Sequence, residues 1–260
     1  MALKLFYTPV FGFIHKSVVA ACEAGVWEQV EQVPVYIRQD GYSIAAINPL
    51  AKVPTLARDD GMVLYGSQTI CEYLDSIRTS GTPLYPPNSD ARWDALRRLA
   101  LGDILFDVIV RIGQERLNSP PLAYMLQWQW PKVGRALDQM ERDARRGFKS
   151  FDIGQVGWLQ GISYLQRHTD QGLPAPLPET YDWRDKRPAL TAWFSDVTQR
   201  PSVTSHFNKE YDGEDSAEFC QSKVAEVLKS QGRDLDSEIH FPANVDFISP
   251  SGGDDPNYQS

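Results

Sequence analysis

The sequence predicts an α/β domain built on a mixed sheet, followed by an all-α domain. Three observations carry this. Short strand-like runs separated by turns fill the first part of the chain. The stretch Thr79-Ser80-Gly81-Thr82-Pro83-Leu84-Tyr85-Pro86-Pro87-Asn88 is rich in Pro and Gly and marks a linker. After it, apolar residues recur at helical spacing. The expected organisation is an N-terminal domain over 1–80, a linker over 81–89, a helical domain over 90–207 and an acidic, partly disordered extension over 208–260.

The elements follow in order. Leu3-Lys4-Leu5-Phe6-Tyr7 reads as a short strand, Thr8-Pro9-Val10-Phe11-Gly12 as a turn, and Phe13 to Glu23 as a helix closed by Gly25 at C′. Asn48-Pro49-Leu50-Ala51-Lys52-Val53-Pro54-Thr55-Leu56 is a loop that enters a strand through Val53-Pro54. Proline has no N–H to give a central strand, so its ordinary place is a strand entrance. Leu64 to Leu74 reads as a strand, a sharp corner and a helix capped by Ser67, whose apolar face is Ile70, Tyr73, Leu74 and Ile77. A helix N-terminus presents unpaired N–H groups and partial positive charge, so it suits a carboxylate.

Beyond the linker, Asp90 to Arg116 places Trp93, Leu96, Leu99, Ala100, Ile104, Val108 and Ile112 at helical spacing, until Pro120 and Pro121. Tyr124 to Arg146 is a second helix, closed by Gly147. Asp152-Ile153-Gly154-Gln155 has the form of a capping box with a Phe151–Val156 staple, a folding feature. Ser216 to Gln231 predicts a further helix with Phe219, Val224, Val227 and Leu228 apolar, and Asn244 to Ile248 a short extended segment.

Composition narrows the function. The 260 residues are 42% hydrophobic and carry a net charge of −8. Residues 1–208 hold 22 basic and 22 acidic side chains, whereas 209–260 hold 4 and 12, so the imbalance lies in the tail. An acidic chain argues against nucleic-acid binding. No apolar run approaches the roughly 18 residues of a membrane helix, and no basic start with a long apolar run suggests a signal peptide. Cys22, Cys71 and Cys220 are widely spaced and odd in number, which suits a reducing cytoplasm. His15, His168, His206 and His240 lack metal-ligand spacing, and no phosphate loop or nucleophile elbow occurs. No metal is expected.

The order strand–turn–helix, Val53-Pro54, then Ser67 resembles the thioredoxin-like, glutathione-binding domain of soluble glutathione transferases. The resemblance covers roughly residues 3–205, and includes the Asp152 cap and the closing Asp185 to Phe194 and Gln199-Arg200-Pro201-Ser202-Val203 segments of bacterial members. It implies a cis Pro54, with the Val53 peptide pairing to the cysteinyl backbone of glutathione. It also implies that Ser67 binds the γ-glutamyl carboxylate, that Lys52 meets the glycine carboxylate, and that the chain forms a homodimer in which Asp103 approaches the partner's ligand amine. Gly66 departs from the pattern, since the family usually has Glu or Gln there. Asp103 is the best compensator.

Three positions compete to activate the thiol, whose unperturbed pKa is near 8.5. Tyr7 falls where pi-class enzymes carry their tyrosine, because Tyr7 to Gly12 is similar to their Tyr-Phe-Pro-Val-Arg-Gly. Thr8 is the first hydroxyl of the turn. Aligning Ile14-His15-Lys16 on the Val-Arg-Lys of bacterial members puts Phe11 at a catalytic serine position, and phenylalanine cannot donate to sulfur. Residues 8–13 contain no cysteine, so disulfide exchange is disfavoured, and Cys22 and Cys71 read as small buried residues. Two functions follow. One is conjugation of glutathione to a hydrophobic electrophile in a site near Phe11, Phe13, Tyr124 and Trp128. The other is a non-catalytic ligand-binding or assembly protein, favoured by Gly66 and Phe11.

Overall fold

Strand β1 (Leu3–Tyr7) sits at the centre of a four-stranded sheet of order β2-β1-β3-β4, with β2 at Val30–Pro34, β3 at Thr55–Arg58 and β4 at Val63–Tyr65. The computed structural model describes residues 3–9, 15–35, 43–87, 89–205, 213–214 and 216–234. Successive side chains of a strand point to opposite faces. Leu3, Leu5 and Tyr7 therefore enter one core, and Phe6 enters another on the far side. β1 pairs parallel with β2, Leu3 opposite Val30, which requires the crossover helix α1 (Lys16–Glu23). It pairs antiparallel with β3, Leu5 opposite Leu56, and β3 turns tightly into β4.

Helices α1 and α3 (Ser67–Ser76) cover the Leu3 face with Val18, Val19, Ile70 and Leu74. Residues 43–47 (α2) and α9 (Ala217–Ser230) cover the Phe6 face with Ile44, Ile47, Val224, Val227 and Leu228. A mixed sheet with helices on both faces is the expected thioredoxin-like arrangement.

The remainder is helical: α4 (Asp90–Gln114), α5 (Ala123–Ala144), α6 (Ile153–Asp170), α7 (Pro188–Val197) and α8 (Pro201–Thr204). Prolines at the first positions of α7 and α8 surrender no hydrogen bond there. α6 is the central helix, with Trp158, Leu159, Ile162 and Leu165 fully enclosed. The apolar series expected along α4 splits between two faces. Leu99, Val108 and Ile112 turn inward, whereas Trp93, Ala100 and Ile104 are exposed. The capping box forms only its aspartate half. Asp152 accepts from the N–H groups of Gly154 (3.0 Å) and Gln155 (3.3 Å). The Gln155 amide instead donates to the Ser150 carbonyl at 2.6 Å and accepts from Trp193 Nε1 at 2.8 Å.

The two halves are tied at several points. Arg200 grips the Glu23 carboxylate with two hydrogen bonds of 2.8 Å, and the Ser202 hydroxyl adds a third at 2.5 Å. Asp75 accepts from the N–H groups of Leu84 and Tyr85, which pins the linker to α3. α9 forms where its periodicity predicts, with Ser216 accepting from the Phe219 N–H at 3.0 Å. The Asn244–Ile248 segment, the Pro- and Gly-rich end, and Phe13 and Ile14 of the expected Phe13–Glu23 helix lie outside the described residues, and that helix begins later than expected, at Lys16, because His15 is its extended N-cap. Among the described residues, no helix is long and apolar enough to cross a membrane.

Helix α4 crosses α6 at a point without side chains. A methyl carbon on Gly102 would stand 2.3 Å from the Gly157 carbonyl carbon and 2.4 Å from its oxygen. Interiors this dense yield only by moving backbone. Gly102→Ala is therefore expected to lower stability by about 1–3 kcal/mol or more, read from the denaturant midpoint of the full chain, although alanine is the better helix former.

Candidate functional site

The residues singled out by sequence gather around the ends of β3, α1 and α3. Asn48, buried at the end of α2, organises the loop ahead of β3. Its Nδ2 donates to the Lys52 carbonyl (2.8 Å) and to Thr55 Oγ1 (2.9 Å), and its Oδ1 accepts from the Leu50 N–H (3.1 Å). Thr55 Oγ1 in turn donates to the Lys52 carbonyl at 2.8 Å. One side chain thus holds both sides of the Leu50–Thr55 turn, within which Ala51 takes φ 49° and Val53-Pro54 is cis. Lys52 projects into solvent and Val53 packs partly against the Phe6-side core. The proline carries a local sequence signal, whereas the asparagine that sets the loop does not.

The start of α3 differs from expectation. Gly66, not Ser67, is the N-cap: it takes φ 78° and ψ 133°, and its carbonyl accepts the first helical hydrogen bond, from Ile70 N–H at 3.1 Å. Only glycine adopts that backbone without strain. Ser67 becomes the first helical residue. Among the described residues its hydroxyl has no protein partner, so it stands beside the N–H groups of the first turn, which no helical carbonyl satisfies. The end of α3 is a ready carboxylate site.

Asp103 lies beside it, with partners in its own chain. One carboxylate oxygen takes the Lys16 ammonium from α1, and the other accepts from Gln68 Nε2 of α3 at 2.8 Å. Lys16 has a side chain only 1% exposed, so its charge requires this partner. The arrangement also brings a carboxamide, Gln68, to the helix end where Gly66 offers none. Neither Lys16 nor Gln68 had a sequence signal, because burial of a lysine at a domain junction depends on the packing of α4 against α1.

The hydroxyl candidates face inward. Tyr7 is buried, donates to Gln32 Oε1 at 2.7 Å, and meets the His15 ring edge-on at 5.2 Å. Thr8 Oγ1 donates to the Val35 carbonyl at 2.9 Å. A hydroxyl has one hydrogen to give, and here each is already given. Phe11 and Phe13 lie outside the described residues. Tyr124 and Trp128 are 73% and 71% exposed on one face of α5.

Burial pushes the thiols of Cys22 and Cys71 up to about 12, away from the reactive thiolate; Cys71 is buried as expected, whereas Cys22 is only partly buried. Among the described residues, no group of His, Cys, Asp and Glu side chains could hold a metal ion. A cleft of about 410 Å³ opens between β4, α3 and α4, lined by Leu64, Gln68, Tyr73, Tyr85 and Leu96 among others.

Residues 12–77 match the family described as "Glutathione S-transferase, N-terminal domain". The chain is 29% identical over 144 residues to the uncharacterized GST-like protein YibF of Escherichia coli K12, covering 54% of this chain and 68% of that one. It is 31% identical to a glutathione transferase family member from Pseudomonas fluorescens Pf-5 with bound glutathione, covering 79% of this chain and 98% of that one at TM-score 0.70. It is 26% identical to a glutathione S-transferase from Methylobacillus flagellatus KT with glutathione bound, covering 79% and 99% at TM-score 0.69.

The Lys16–Asp103 pair makes a stability prediction. Asp103→Leu leaves a buried ammonium unpaired and is expected to cost about 3–5 kcal/mol. Lys16→Met combined with Asp103→Leu should recover most of that loss, because no charge remains buried. A double-variant loss equal to the sum of the Asp103→Leu and Lys16→Met losses, by chemical denaturation, would show that the two side chains act independently.

Proposed function

Because the chain belongs to the glutathione transferase family, we propose that it binds glutathione at the Lys52–Pro54 turn and the N-terminus of α3, and transfers it to a hydrophobic, aromatic class of electrophile. The observation that carries the reading is the pairing of two preorganised elements: a turn fixed by Asn48, and the N-terminus of α3 opened by Gly66 with Ser67 as its first residue. The Val53 peptide pairs with the cysteinyl backbone, Ser67 and the first-turn N–H groups take the γ-glutamyl carboxylate, and Lys52 meets the glycine carboxylate. Asp103 acts in its own chain through Gln68, which places an amide carbonyl near the ligand ammonium. Three free cysteines suit a reducing, cytoplasmic setting.

Ser67→Ala is expected to weaken glutathione binding by about 1–3 kcal/mol through loss of a charge-assisted hydrogen bond. Calorimetry on the wild type and the variant tests this. Absence of binding by the wild type at millimolar glutathione would reject the site.

Conjugation requires the sulfur lone pair to attack the electrophile while the leaving group departs with its electrons or the acceptor bond takes them up. A stabilised thiolate is the reactive form. With Tyr7 and Thr8 donating to Gln32 and Val35, main-chain N–H groups at the entrance to α1, at the positive end of that helix, are the better donors. Tyr7→Phe and Thr8→Val are both expected to leave the ultraviolet titration of bound thiolate unmoved. A rise in its apparent pKa in either variant would return the role to that hydroxyl, because a donor to the charged form lowers the pKa.

The same inward hydroxyls, with Gly66, favour a second reading as a non-catalytic glutathione-binding or assembly protein. Turnover with a panel of aromatic electrophiles decides between the two.

A homodimer completes the proposal. Tyr65, Trp93 and Ile104 expose apolar surface on β4 and α4, and the cleft between α3 and α4 adjoins it. Exposed aromatic surface of this kind marks an interface. Sedimentation at micromolar concentration is expected to give twice the chain mass, and a stable monomer would overturn the assignment.

A further inference from the structure

The acidic extension contains a helix that the glutathione reading does not use. α9 lies on the Phe6 face of the sheet, opposite α1 and α3. Its Cys220, Val224, Val227 and Leu228 are buried in one apolar core with Phe6, Val33, Ile44 and Ile47, and Val53 packs on the edge of that core. Polar contacts surround the apolar ones. Lys223 pairs with Glu31 at 2.7 Å, Glu226 with Lys4 at 3.1 Å, and Gln231 Nε2 donates to the Gly61 carbonyl at 2.8 Å. Arg233 Nη2 donates to the Ala46 carbonyl in α2 at 3.0 Å.

These contacts converge on the backing of the Lys52–Pro54 turn. α2 ends in Asn48, whose N–H donates to the Ile44 carbonyl at 2.7 Å and whose side chain fixes the turn. Ile44 and Ile47 hold α2 against α9, and Val53 rests on the same core. A short helix with so few turns of its own is held in place by packing. The matched Pseudomonas structure is almost wholly covered by 79% of this chain, so about a fifth of the present chain is additional to it.

We propose that α9 is a clamp that positions the glutathione-recognition turn from the opposite face of the sheet, with Leu228 and Arg233 as its positioning residues. The link to ligand affinity rests on the glutathione reading. The mechanical link from α9 through α2 to Asn48 does not. Undocking α9 frees α2, loosens the Asn48 bonds and lowers the population of the binding-competent turn, which reduces apparent affinity in proportion.

The test uses the full chain. Hydrogen exchange without ligand follows the amides of α9, of residues 44–55 and of α6, and calorimetry follows glutathione. In Leu228→Asp, exchange in α9 and in 44–55 is expected to accelerate at least tenfold while α6 keeps its protection. The glutathione dissociation constant should rise at least tenfold, and Leu228→Met should restore both. Arg233→Met leaves the apolar core intact and should accelerate residues 44–48 severalfold, a readout that survives if Leu228→Asp fails to fold. Faster exchange in α9 with unchanged protection at 44–55, or unchanged exchange at 44–48 in Arg233→Met, would overturn the clamp. Failure of the wild type to bind glutathione would remove the ligand reading, and the exchange experiment would still decide the clamp.

Discussion

A lysine with almost none of its side chain in water needs a fixed counter-charge, and Asp103 supplies it. This ion pair joins α1 to α4, and Gln68 extends it to the first turn of α3. Three helices from both halves of the chain therefore meet at one carboxylate. The Glu23–Arg200–Ser202 contact ties α1 to the end of the helical half, and the Gly102–Gly157 approach brings α4 against the central helix. Together these contacts determine where the N-terminus of α3 lies relative to α4, and hence the shape of the proposed ligand site.

The site itself is assembled from backbone more than from side chains. A Val-Pro turn, a glycine N-cap and the first N–H groups of a helix supply most of its hydrogen-bonding capacity. Such groups are rigid once the loops are set, so recognition depends on what sets them. Asn48 does so from within the loop, and α9 stands behind it through the shared core with Ile44, Ile47 and Val53. Gly66 fits this logic: a positive φ, with open space where a side chain would begin, gives the helix its entry while leaving the polar contact to Gln68 and Ser67.

Much of the fold was legible because local signals and the global arrangement agree. The strand of Leu3 to Tyr7 and the helix of Ser216 to Gln231 with Val224 and Leu228 announce themselves by spacing, whereas the segments at Pro188 and Pro201 carried only a family resemblance, and their prolines open helices. Ser67 was legible as a helix start but displaced by one position, because the left-handed φ of Gly66 sets the cap. The Gln155 half of the capping box was misread, since Trp193, far along the chain, competes for its side chain. Lys16, Asn48 and Gln68 were invisible for a common reason. Each matters through partners in other elements, and no local pattern encodes those. Likewise the apolar face of α9 was readable, but not that its target is the back of the sheet.

The central claim is that the Lys52–Pro54 turn and the N-terminus of α3 form one glutathione site. Its most direct test is a titration of the isotopically labelled protein with glutathione, followed by amide chemical shifts. The account predicts saturable shifts that share one dissociation constant at Val53, Ser67, Gln68 and Asp103, with the buried amides of α6 unmoved. Saturable shifts confined to other surfaces, or different dissociation constants at Val53 and Ser67, would contradict it.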